Sequence, residues 1–154
     1  MVERISWSSQ FDIGIEVIDN QHRKIVDYIN MLADMDDDAT HSSEMKNLLH
    51  NLLDYTYSHF AFEEALMEEA GYEMLSEHQQ THHAFKGRVD ELLRIFHTGE
   101  NVNEQVTEML QSWLIHHIQD DDQSYASIVK EQMGNIETKY PNSWVDSAVQ
   151  HFFK

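Results

Sequence analysis

Cysteine is absent from the 154 residues, which excludes disulfides, thiolate metal ligands and iron–sulfur clusters. Proline occurs once and glycine five times, so long stretches carry no helix breaker, and β-branched residues form no sustained alternating runs. An all-α fold is the expectation. No stretch approaches the roughly 20 apolar residues of a membrane span, and Met1-Val2-Glu3-Arg4 is no apolar signal region. A cytoplasmic location with no membrane partner is therefore expected. Basic residues are also scarce: ten Lys and Arg against 28 Asp and Glu give a formal net charge of −18. That balance repels nucleic acid and anionic lipid and excludes both as partners.

What is present is helical periodicity. The length suits one bundle with a real core, read as residues 1–133, followed by an extension, 134–154. Trp7, Phe11, Ile13, Ile15 and Ile18 surround Gly14 without a helical period, which predicts an N-terminal apolar arm strapped across the bundle. Four helices follow. The first, near 19–36, carries Ile18, His22, Ile25, Ile29 and Leu32, with Asp19 as N-cap. The second, near 43–70, shows Met45, Leu48, Leu52, Tyr55, His59, Phe62 and Leu66, and Gly71 stands where a C-terminal cap belongs. The third, near 74–97, reads Leu75, His78, His82, Phe85, Val89, Leu92 and Phe96 before Gly99. The fourth, near 102–132, carries Val106, Met109, Trp113, His117 and Tyr125 and is expected to stop before Gly134. Short connections make this an antiparallel up-down four-helix bundle. Beyond it, Pro141 and Asn142 open a short extra C-terminal helix whose apolar residues, Trp144 to Phe153, form one face. Docking of that face on the chain's own bundle is favoured about two to one over a protein partner or self-association.

Histidines stand in those stripes where leucine is expected. His59 and Glu63, and His78 and His82, are four residues apart, so each pair projects from one side of its helix. With His22, His117 and Asp122 they make seven candidate ligands on four helices. Buried without metal, each imidazole must find another partner or cost about 1–3 kcal/mol. Five imidazoles and two carboxylates exceed what one zinc ion uses and suit a pair of transition metals, iron rather than magnesium or calcium.

Other readings fail on particulars. A zincin needs Glu after the first histidine, where Gln79 follows His78. Ferritin-type sites need Glu-x-x-His pairs on inner stripes, and none lies there. Asp122 has the weakest spacing, because five residues advance a regular helix by about 140° beyond a full turn and four by about 40°. Asp121 would point more directly alongside His117, so Asp122 requires a local helix distortion or a sideways reach. His83 and His116 are second choices, and His41, His50, His97 and His151 also fall off the stripes.

Four segments together resemble hemerythrin, specifically the bacterial single-domain type: Trp7-x3-Phe11-x-Ile13-Gly14-Ile15-x2-Ile18-Asp19-x-Gln21-His22; His59-Phe60-x2-Glu63-Glu64; His78-x3-His82; and Trp113-Leu114-x2-His117-Ile118-x3-Asp122-x2-Tyr125. The likeness covers about residues 5–131 and every candidate ligand position, and the tail after Gly134 lies beyond it. The resemblance implies a non-haem centre of two iron ions joined by an oxo or hydroxo bridge. His78, His82 and His117 would hold one iron, His22 and His59 the other, and Glu63 and Asp122 would bridge both. The second iron would then be one ligand short of six.

Such a vacancy suits dioxygen, and the expected function is reversible dioxygen binding, for carriage, storage, delivery or sensing, rather than enzymatic turnover. Leu114, Trp113, Ile118 and Met67 are candidates for a dry wall, partly by analogy, although core packing explains them too. The alternatives are a di-iron enzyme acting on peroxide, nitric oxide or ferrous iron, and an oxygen-sensing module that engages a partner.

Overall fold

The structure is a computed structural model that describes residues 4–35, 43–97, 103–139 and 143–153. Its helices are α1 (Glu16–Ala33), α2 (Ser43–Ala70), α3 (Leu75–His97), α4 (Asn103–His116), α5 (Gln123–Lys139) and α6 (Trp144–Phe152), with a π-helical segment, His117–Asp122, joining α4 to α5. The rod made of α4, the π segment and α5 is the fourth member of an antiparallel bundle with α1, α2 and α3. The expected fold class is the observed one. Gly99, Pro141, Asn142, His41 and the acidic run at Asp36 lie outside the described residues.

The stripes become the core. Ile18, Ile25, Ile29 and Leu32 of α1 meet Met45, Leu52 and Leu66 of α2, Phe85 and Val89 of α3, and Val106, Leu110, Leu114 and Val129 of the fourth rod. Burying such side chains supplies the main driving force for assembly, at about 25 cal/mol per Å² of apolar surface. Gly71 ends α2 as expected: at φ +72 it lets its own N–H bond to Glu68 O (3.1 Å) and Tyr72 N–H bond to Met67 O (3.0 Å), the Schellman pattern.

Two predicted boundaries are corrected. Asp19 is not the N-cap of the first helix, which begins earlier, at Glu16, with Ile15 as its cap residue. The Asp19 carboxylate instead reaches back and accepts the backbone N–H groups of Ile13 (2.8 Å) and Gly14 (3.2 Å), fixing the turn where Gly14 takes φ +86. The fourth rod does not stop before Gly134 but runs to Lys139. A single glycine costs a helix only about 1 kcal/mol, and buried Ile136 extends the apolar stripe past it.

The arm is strapped down as expected. Asn30 of α1 bonds both ways with Ile5, accepting its N–H at 2.7 Å and donating to its carbonyl at 2.9 Å. A short 3-10 turn, Ser9–Phe11, rests against the π segment. The C-terminal helix docks on its own bundle: Phe153 lies 5.0 Å from Tyr55, and Trp144 lies 5.9 Å from Phe62, between ring centres. None of the described helices is long and apolar enough to cross a membrane.

Candidate metal centre

Each helix of the bundle delivers donors to one point. α1 brings His22, α2 brings His59 and Glu63 one turn apart, α3 brings His78 and His82 likewise, and the π segment brings His117 and Asp122. All seven are at most 4% exposed. The structure therefore brings together all seven predicted site residues. His50, His83, His116 and His151 are exposed, as their off-stripe positions predict.

The Asp122 spacing resolves in the backbone. A π-helix bonds residue i to i+5, so residues five apart come to lie on one face. His117 and Asp122 are the first and last residues of that segment, and their Nε2 and Oδ2 atoms lie 3.1 Å apart. Asp121, the choice of a regular helix, sits behind the ring instead, 3.9 Å from His117 Nδ1.

The two carboxylates face both ways. Glu63 Oε1 lies 2.6 Å from His78 Nε2 and 3.1 Å from His82 Nε2, while Oε2 lies 3.1 Å from His59 Nε2 and 3.5 Å from His117 Nε2. Asp122 Oδ1 lies 3.3 Å from His78 Nε2, while Oδ2 lies 2.8 Å from His22 Nε2. Each acid thus offers one oxygen to the α3 pair and the other to the α1–α2 pair. The donor atoms form two overlapping groups, His22, His59, Glu63, His117 and Asp122, and Glu63, His78, His82 and His117. His117 belongs to both, so its distances do not assign it to one side.

Glu63 Oε1 is hydrogen-bonded to His78 and His82, but most of the other donor atoms are close without being paired. Both oxygens of Asp122, both ring nitrogens of His22 and of His117, and His59 Nε2 are buried and make no aligned hydrogen bond. Buried polar atoms left so are costly, and lone pairs aimed at shared points rather than at one another are what a cation satisfies. Charge leads to the same conclusion. Burial pushes Asp122 well above its ordinary range, and the neighbouring Glu63 charge raises it further. Burial also raises Glu63, but the imidazoles of His117 and His59 outweigh it and hold that carboxyl well below its usual value. Burial lowers both His22 and His59, which keeps their nitrogens free to coordinate. The donor set fits metal.

A second layer orients the donors. His59 Nδ1 lies 2.7 Å from Gln21 Oε1, which accepts its proton and leaves Nε2 as the coordinating nitrogen. Tyr125 donates to Glu63 Oε2 at 3.2 Å. Phe60 stacks on His82 at 3.9 Å and Trp113 on His117 at 4.5 Å, between ring centres. Gln21 and Phe60 had no assigned role on sequence grounds, although both adjoin ligands in the motifs. Leu114, Ile118 and Met67 are buried.

An antiparallel helical bundle with a buried histidine–carboxylate cluster able to hold metal defines a class of metal-binding protein. Residues 13–129 match the family described as hemerythrin HHE cation binding domain, and the chain belongs to the hemerythrin family. It is 38% identical over 148 residues to a bacteriohemerythrin of Pseudomonas paraeruginosa (strain DSM 24068 / PA7), covering 96% of both chains. A bacteriohemerythrin of Methylococcus capsulatus (strain ATCC 33009 / NCIMB 11132 / Bath) is 34% identical over 124 residues, 79% of this chain and 93% of that one. A crystal structure of wild-type hemerythrin superposes with a TM-score of 0.72 at 30% identity, covering 81% of this chain and 97% of the other.

Proposed function

We propose that this chain binds dioxygen reversibly at a non-haem di-iron centre held by His22, His59, Glu63, His78, His82, His117 and Asp122. The observation that carries the reading is the two-way disposition of Glu63 and Asp122, which suits bridging between two metals rather than chelation of one. When bound, the two irons supply the electrons and the open coordination position that dioxygen requires. His117 is assigned with His78 and His82, as the family resemblance implies, which leaves the His22 and His59 side one ligand short.

The protein's own residues then set the conditions. Two carboxylates against five neutral imidazoles give a ligand set of low negative charge, which favours the reduced metal. Gln21 holds the His59 tautomer, and Tyr125 holds one oxygen of Glu63 in place. Leu114, Ile118 and Met67 are buried and would keep water from the centre, which slows its oxidation with loss of peroxide. Among the described residues no further side chain is poised at the cluster as an additional acid or base for turnover, so carriage, storage or delivery is preferred to an enzyme.

The test is an absorption spectrum of the reduced, iron-loaded protein before and after air, with metal analysis. The expected result is about two irons per chain and a visible charge-transfer band that disappears on removing oxygen. Irreversible bleaching, or one metal per chain, overturns the reading.

A further inference from the structure

A cleft of about 520 Å³ opens between α3 and α4, its lining including Thr81, Phe85, Arg88, Ser112, Trp113 and Asp121. Its volume lies in the range of small-molecule sites. Its back wall is aromatic, because the Phe85 and Trp113 ring centres lie 4.0 Å apart. That wall is joined to the metal cluster by rings. Trp113 stacks on His117, Phe60 stacks on His82, and Phe60 meets Trp113 at 5.2 Å and Phe85 at 5.6 Å. Two of the seven candidate ligands therefore lead through stacked rings to the same pair at the cleft.

A protein that binds dioxygen with reduced metal must be re-reduced whenever the centre oxidises, yet none of the seven ligands is more than 4% exposed. An electron donor cannot touch them. We propose that the α3–α4 cleft binds a neutral, planar aromatic hydroquinone, from which electrons reach the oxidised centre through Trp113 and Phe85. The rings of the wall select a flat aromatic. Arg88 and the hydroxyls of Ser112 and Thr81 can donate to its oxygens, while the Asp121 carboxylate can accept from a phenolic O–H. The net charge of −18 disfavours an anionic donor and selects a neutral one.

The step balances. The hydroquinone loses two electrons and two phenolic protons and leaves as the quinone. The electrons reduce two ferric ions to ferrous, and the protons pass to water at the open mouth of the cleft. The inference rests on the di-iron reading for the fate of the electrons, whereas recognition of the aromatic does not.

Binding is tested first on zinc-loaded protein, which is redox-silent, by anaerobic calorimetric titration with 1,4-naphthohydroquinone. The wild type is expected to bind it saturably, and Ala84→Trp, which fills the cleft, is expected to weaken binding at least about tenfold. Ser112→Leu serves as an independent blocking variant should Ala84→Trp fail to fold. Iron-loaded, oxidised protein is then mixed with naphthohydroquinone. The rate of reduction is expected to saturate with concentration in the wild type and to fall about tenfold in the blocked variants, with reduction by dithionite unchanged. Absence of binding to the zinc protein, or blocked variants that bind and reduce like the wild type, overturns the proposal. Naphthohydroquinone binding alongside a failure to bind dioxygen would instead remove the proposed function and leave the cleft's recognition standing.

Discussion

The hydroxyl of Tyr125 donates to Glu63 Oε2 at 3.2 Å, and both side chains are fully buried. Removing this donor leaves an interior carboxylate oxygen with one partner fewer, and hydrogen bonds to charged groups contribute about 1.5–3 kcal/mol. Tyr125→Phe keeps the ring packing and is expected to lower the unfolding free energy of metal-loaded protein by that amount in urea titration. A loss below about 0.5 kcal/mol would show that the bond contributes little.

Asp121 and Asp122 give the sharpest discrimination at the metal. Of the two, Asp122 alone turns both oxygens toward the converging Nε2 atoms of the candidate ligands, whereas Asp121 lies on the Nδ1 side of His117. Asp121→Asn is expected to retain its full metal complement after desalting, and Asp122→Asn to lose metal. The opposite pattern would mean that the π segment relaxes to a regular helix when metal binds.

These two acids also mark where sequence reasoning reached its limit. The stripe from Ile18 to Leu32, the His59–Glu63 and His78–His82 pairs and the cap at Gly71 were legible because one helical period sets them. The five-residue step to Asp122 signalled a distortion without its form, since the same step is met by a sideways reach or by the π segment that the backbone adopts over His117–Asp122. Asp19 was misread as an N-cap because its true partners, Ile13 and Gly14, belong to a non-helical arm with no period to read. Gly134 was misread as a stop because buried Ile136, which continues the stripe, lies beyond it. Gln21 was silent for another reason: its partner His59 is 38 residues away, and only packing of α1 against α2 brings them together.

Gln21 is accordingly a test of the outer layer. Gln21→Leu removes the acceptor for His59 Nδ1 and frees the imidazole to change tautomer. Loss of such partners typically weakens metal affinity 10–100-fold. Competition with a chelator is expected to show that loss for Gln21→Leu and near-complete recovery for Gln21→Glu, which restores an acceptor. Equal affinity in all three proteins would assign Gln21 to packing alone.

Leu114 is 1% exposed and lies one turn before Ile118 on the rod that carries His117. Leu114→Ala opens space in the core three residues from His117, at a stability cost of about 2–5 kcal/mol for a buried Leu-to-Ala change. Water entering that space is expected to hasten decay of the oxygenated absorption band in air. Decay at the wild-type rate, in a variant that shows the stability loss, would mean that this side chain packs the core without guarding the centre.

Removing metal tests the centre through the fold itself. Without cations the bundle must bury two acids and five imidazoles whose lone pairs converge on shared points, and Asp122, His22 and His117 keep no aligned hydrogen bond there. Metal binding to such a set is folding free energy. Chelated protein is expected to melt well below iron-loaded protein, and because burial holds the His22 and His59 imidazoles below their ordinary value, the gap should persist through the usual histidine range and close only at more acidic pH, where protons compete for them. The two acids and five rings occupy interior positions that apolar side chains would otherwise fill, so coincident melting curves at neutral pH would mean that some other group satisfies them and that the cluster is not a metal site.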